Sequence, residues 1–177
     1  MSAPNKADPA IYPKMREHAL LKIRLNNLPD DSVHSVLMDW AVANGTATVL
    51  AAVDGTASVY LSSGGGYLGG GQKYPAIREA ALQAVHLATK LFWEFAPTEK
   101  TDLPLGGNVF FYLTTNKDLR IAMANEETLK AGTDPLSALG AAMQQIITEY
   151  RLKFPNNQEP NRKTGPLAKL INLFRRR

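Results

Sequence analysis

The chain has 177 residues, 45% apolar and 20% charged, with no cysteine and a net charge of +4. That size suits one domain, and that composition excludes general disorder and a collagen-like chain. The missing cysteines exclude disulfides, thiolate catalysis and Cys-ligated zinc.

The charge is unevenly placed. Residues 151–177 hold eight basic residues against Glu159, a net +7, and residues 1–150 hold twelve basic against fifteen acidic, a net −3. A mildly acidic body predicts no nucleic-acid surface there, because such surfaces cluster Lys and Arg against phosphates. No run reaches the ~18 apolar residues of a membrane span. The opening Met1-Ser2-Ala3-Pro4-Asn5-Lys6 lacks the apolar core of a secretory signal, so a cytoplasmic protein is expected.

Three units are expected: an N-terminal extension over 1–29, an α+β domain over 30–152 and a basic tail over 153–177. In the extension, Pro4, Pro9 and Pro13 predict a loose lead-in, and Lys14–Leu25 a short helix with Met15, Leu21 and Leu25 near one face. Asp30 or Asp31 then caps a predicted helix whose stripe is Val33, Val36, Leu37, Trp40 and Ala41, with Asn44-Gly45 stopping it.

Thr46–Val53 and Thr56–Ser63 meet at Asp54-Gly55 and predict a hairpin with a two-residue turn. Ala57, Val59 and Leu61 share its core face, and the other face is more polar, as in a sheet covered on one side. The Gly-rich run 64–71 follows. Pro75 opens a long helix over about 76–95, striped by Ile77, Ala81, Ala84, Val85, Ala88, Leu91, Phe92 and Phe95. Leu82, His86 and Trp93 form a second stripe, which either the N-terminal segment or another subunit would cover. Val109–Thr115 and Leu119–Ala124 predict a second strand pair, and Glu126–Gly132 reads as loop. Asp134-Pro135 opens the last helix, striped by Leu136, Leu139, Met143, Ile146, Ile147 and Tyr150. The expected fold is therefore α+β, a single antiparallel sheet of four to five strands flanked by helices, in the order α-α-β-β-α-β-β-α.

The stretch Val49 to Gly64, with its Asp54-Gly55 turn and following small-residue run, resembles the first hairpin of the roadblock/dynein light chain family, related to longin and profilin-like folds. The similarity in element order spans roughly 31–151. It implies a non-catalytic homodimer that scaffolds or regulates small GTPases, motors or signalling assemblies, with a five-stranded sheet. The second stripe Leu82, His86 and Trp93 is its expected interface, through the long helix and a sheet edge.

Chemistry is sparse. Gly64, Gly66 and Gly69 satisfy G-x-G-x-x-G between a strand and a helix, with Lys73 beyond, the pattern by which backbone N–H groups cradle phosphate. The preceding strand is a hairpin arm, not part of a βαβ unit, and no P-loop Lys-Ser or Lys-Thr follows, so a flexible loop is the favoured reading. The alternative is a small-ligand or nucleotide sensor or enzyme using loop 64–71, with Tyr60, Tyr67, Lys73 and Tyr74 nearby. His18, His34 and His86 show no metal-ligand spacing, and no G-x-S-x-G elbow occurs, so no catalytic residue, metal or cofactor is expected. In the tail, Leu167, Leu170, Ile171 and Phe174 share a helical face ahead of Arg175, Arg176 and Arg177. That segment suits an anionic membrane surface, a protein groove, nucleic acid or simple solvation.

Overall fold

The computed structural model describes residues 9–21 and 27–155. The expected tail contacts at Leu170, Ile171, Phe174, Arg175, Arg176 and Arg177 lie outside the described residues, as does Leu25.

A seven-stranded antiparallel sheet forms the centre. In chain order the strands are β1 (Ser35–Val42), β2 (Gly45–Ala52), β3 (Ala57–Leu61), β4 (Gly66–Tyr67), β5 (Ala96–Pro97), β6 (Asn108–Thr114) and β7 (Leu119–Asn125). Their order across the sheet is β4-β3-β2-β1-β6-β7-β5. The helices are α1 (Tyr12–Leu20), α2 (Pro75–Lys90), α3 (Glu126–Ala131) and α4 (Ser137–Lys153). None of the helices described is long and apolar enough to cross a membrane.

The α+β class and single antiparallel sheet stand, but the order of elements differs. The helix expected from Asp30 is instead the central strand β1, and Asn44 lies in the two-residue turn that leads into Gly45, the first residue of β2. The five residues Val36 to Trp40 are all buried, because helices cover both faces of the sheet here. A strand buried on both faces loses its alternation and reads as a continuous apolar run. The helical stripe was a coincidence of that run.

The sheet, expected to have four to five strands, has seven: the four assigned from the sequence are joined by β1 and by the two-residue edge strands β4 and β5. Glu126–Ala131 is a helix rather than a loop: Asn125 caps it by accepting the Glu127 amide at 2.8 Å, and Gly132 ends it at φ +72°. Its six residues bury only Leu129, too little for a periodic signal. The hairpin at Asp54-Gly55 forms, though with three loop residues. The Ala52 amide donates to the Thr56 carbonyl at 2.9 Å, and Gly55 alone has positive φ, +81°.

One face of the sheet meets α2 and α4 in the main core. Met38, Trp40, Val49, Val59 and Phe111 pack there against Ile77, Ala81 and Ala84 of α2 and Leu139, Met143 and Ile146 of α4. α2 ends five residues before the expected Phe95. The chain then turns through Phe92–Glu94 so that Phe95 drops into the core and β5 can pair with β7. α4 starts at Ser137 rather than at Pro135, with Asp134 accepting the Leu136 amide at 2.9 Å.

The opposite face is covered by α1. Its buried side is Tyr12, Arg16 and Leu20, spaced i, i+4, i+8, and Leu21, expected on that side, is exposed. Tyr60, expected on a more polar face, is buried beneath this layer against Tyr12, and Ser58 on the same face is buried with its Oγ accepting the Gly69 amide.

Candidate functional site

Three regions carry polar or exposed groups in a pattern beyond packing. The first is the Gly-rich segment. Gly64 donates to the Leu61 carbonyl at 2.9 Å, Gly69 to Ser58 Oγ at 3.2 Å, and Lys73 to the Gly70 carbonyl at 3.1 Å. Gly66 pairs with Tyr60 in the β3–β4 ladder. The Tyr150 hydroxyl accepts the Gly70 amide at 2.7 Å and donates to the Ala57 carbonyl at 2.7 Å. These amide donors are spent inside the protein, whereas a phosphate cradle needs several converging and open.

The glycines serve close approach instead. A Cβ on Gly71 would sit 1.7 Å from the Gly55 carbonyl oxygen, and one on Gly70 2.4 Å from the Tyr150 oxygen. Tyr67 stacks on Tyr150 at 4.8 Å and on Phe154 at 5.5 Å, while Lys153 Nζ lies 4.8 Å from the Tyr74 ring centre. Burial pushes the Tyr150 hydroxyl up to about 12, so it stays protonated as the donor this link requires. The segment thus closes the outer edge of β3 with an aromatic stack, which blunts a strand edge that would otherwise template pairing.

The second region lies under α1, and of its residues the sequence pointed only to Tyr60, as a polar group near the Gly-rich loop. Asp39 of β1, Thr48 of β2 and Tyr60 of β3 stand opposite one another in register, so their side chains form a row on one face. Arg16 Nε donates to Asp39 Oδ2 at 2.8 Å, and Thr48 Oγ1 donates to Oδ1. Tyr12 and Thr48 share a hydroxyl bond of 2.9 Å, and Arg16 also reaches the Thr101 carbonyl at 2.7 Å and the Asp102 carbonyl at 3.2 Å. Tyr112 donates to the Asp102 carbonyl at 2.7 Å.

Asp39 is wholly buried. That burial lifts its carboxyl above the ordinary range, against the pull of Arg16 and Thr48. Burial pushes Tyr12 up to about 12 and Tyr60 higher still, with the Asp39 charge adding to both. The Tyr60 hydroxyl has no hydrogen-bond partner among the described residues. Both Asp39 oxygens are engaged and water is excluded, so the cluster fastens α1 and the 101–102 segment to the sheet. The one signal in the sequence is a lone acid inside an apolar run, Leu37-Met38-Asp39-Trp40, which a helical reading places on a solvated face.

The third region is the expected interface. Leu82 and His86 are exposed one turn apart on α2. Trp93 falls beyond the helix, in the Phe92–Glu94 turn, with 87% of its surface exposed. That turn is held firmly. Arg120 donates to the Phe95 carbonyl through Nε at 3.0 Å and Nη2 at 2.7 Å, and its guanidinium sits 4.4 Å from the Phe92 ring centre. Phe92 in turn meets Trp93 edge-on at 5.3 Å. Among the described residues no cluster of three His, Asp or Glu could hold a metal ion.

No family model matches this chain, and neither a curated protein nor a solved structure shows significant similarity to it.

Proposed function

We propose that this chain is a non-catalytic interaction module that associates with a second copy of itself through the outer face of α2 and the Phe92–Glu94 turn. The observation that carries the reading is Trp93. A tryptophan 87% exposed on a turn pinned by Arg120 offers a large, pre-ordered apolar contact, the kind that dominates binding energy at interfaces. Leu82 and His86 extend the contact along α2. The sheet edges β4 and β5 are two residues long and offer little for strand pairing, so the reading rests on the helix face.

The resemblance to the roadblock family adds the partner class: a small GTPase or a signalling assembly, engaged in the cytoplasm. Multi-angle light scattering tests the first step. The wild-type chain is expected to run as a dimer, and Trp93→Ala and Leu82→Glu as monomers that keep the wild-type far-UV circular dichroism, with a melting temperature that, unlike the wild type's, does not change with protein concentration. A wild-type monomer at high micromolar concentration, or a dimer indifferent to both substitutions, overturns the reading.

A further inference from the structure

We propose that α1 is a strap that lifts from the sheet as a unit, while the strands, α2 and α4 stay folded, and so uncovers the second sheet face. The two faces are held differently. The main core draws on the sheet, α2, α4 and Leu129 of α3, and no α1 side chain takes part in it. α1 packs through a small cluster of its own, where Leu20 meets Leu37, Tyr112 and Leu119. Lifting it therefore leaves the main core whole. At nine residues, α1 is also shorter than the ~12–15 that sustain a helix alone in water, so it unwinds as it lifts.

Closure leaves two polar groups worse off than water would. Tyr60 meets Tyr12 edge-on, with 5.8 Å between ring centres, and its hydroxyl is buried with no hydrogen-bond partner among the described residues. A buried hydroxyl left unpaired is costly, and that cost vanishes once the helix lifts and water reaches it. Asp39 is in a similar position. Arg16 and Thr48 both bond it, yet burial still lifts its carboxyl above the ordinary range, so the loss of hydration outweighs the help of its partners.

The other holds on α1 are replaceable. Tyr12 bonds Thr48, and Arg16 bonds the Thr101 and Asp102 carbonyls, all groups that water can serve instead. The buried side of α2, from Ile77 to Ala88, is wholly apolar and gains nothing from water. The molecule then has two states. Closed, the sheet is covered on both faces. Open, it presents the Asp39 carboxylate in a row with the Thr48 and Tyr60 hydroxyls, beside the paired Leu37 and Tyr112.

Because the chain has no cysteine, a single engineered thiol reports on one place. Leu37→Cys lies beneath α1, and Val49→Cys lies in the main core. Without urea, Leu37→Cys is expected to react with a thiol dye at least ~100-fold faster than Val49→Cys. Its rate should barely change at low urea, whereas that of Val49→Cys rises steeply. Tyr60→Phe removes the unpaired hydroxyl and should slow the Leu37→Cys reaction about ten-fold. Hydrogen exchange of the wild-type chain gives a check free of substitutions. The hydrogen-bonded amides of α1, Leu21 to the Glu17 carbonyl among them, should share one protection value, at least ~100-fold below that of Phe111 in β6. The proposal fails if the two thiols react alike, if α1 is as protected as β6 or frays progressively from its ends, or if Tyr60→Phe leaves the Leu37→Cys rate unchanged.

Discussion

Arg16 on α1 and Asp39 on β1 form an ion pair of 2.7 Å in which the aspartate side chain is wholly out of water. The pair joins the only helix on one sheet face, among the described residues, to the centre of the sheet, and it does so beside Tyr12, Thr48 and Tyr60. Breaking such a pair from one side leaves a buried charge uncompensated, whereas replacing both partners need not destabilise. Arg16→Met is therefore expected to cost about 3–5 kcal/mol by urea denaturation. Adding Asp39→Leu should recover much of that loss. A double variant no more stable than Arg16→Met would show that the arginine acts through packing and not through charge.

The tyrosines make stability depend on alkaline pH. Tyr12 and Tyr150 are each raised to about 12, chiefly by burial, against an unfolded value of 10.0. Above the unfolded value the unfolded chain releases these protons while the folded chain keeps them. Stability contributed by the shift is thus fully present below pH 10 and is lost as pH rises through about 12. Urea midpoints measured across this window should fall steadily, and Tyr150→Phe should flatten the fall. An unchanged slope in that variant would remove Tyr150 from the account.

Tyr150→Phe also reports on the Gly-rich segment at neutral pH. It deletes the acceptor for the Gly70 amide and the donor to the Ala57 carbonyl, both buried. A loss of about 1–3 kcal/mol is expected, with hydrogen exchange quickening at Gly70.

Gly71 and Gly65 separate close approach from backbone preference. A Cβ on Gly71 collides with the Gly55 carbonyl, while one on Gly65 meets nothing within 4 Å although φ is +87°. Gly71→Ala is expected to cost about 3 kcal/mol and Gly65→Ala about 1 kcal/mol in thermal or urea unfolding. Equal costs would mean that the segment yields around Gly71.

Asn125→Ala tests the helix absent from the sequence reading. The Asn125 side chain holds the Glu127 amide at 2.8 Å. Its loss should cost about 1 kcal/mol, by equilibrium unfolding, and Asn125→Asp should restore most of it.

Features governed by short-range chemistry were legible before any tertiary contact was known. Asp54-Gly55 marks a hairpin because glycine alone accepts positive φ freely there, and Pro75 opens α2 because its missing N–H is not needed at a helix start. The stripes Ile77 to Ala88 and Leu139 to Tyr150 identify α2 and α4, since each helix buries one side only. The outward position of Leu82, His86 and Trp93 follows from the same periodicity, with Trp93 moved off the helix by the turn that buries Phe95.

The remainder required knowledge of what covers each surface. Val36 to Trp40 lie between two layers, so neither alternation nor a helical stripe survives in their sequence, and Asp39 looks solvated until Arg16 is placed above it. Gly64 to Gly71 look free until Tyr150, some eighty positions along the chain, is seen to bind Gly70 and Ala57 at once. Local propensity acts within a few residues of itself. The partner that makes a buried acid tolerable, or a glycine necessary, sits on another element, and only the folded chain brings the two together.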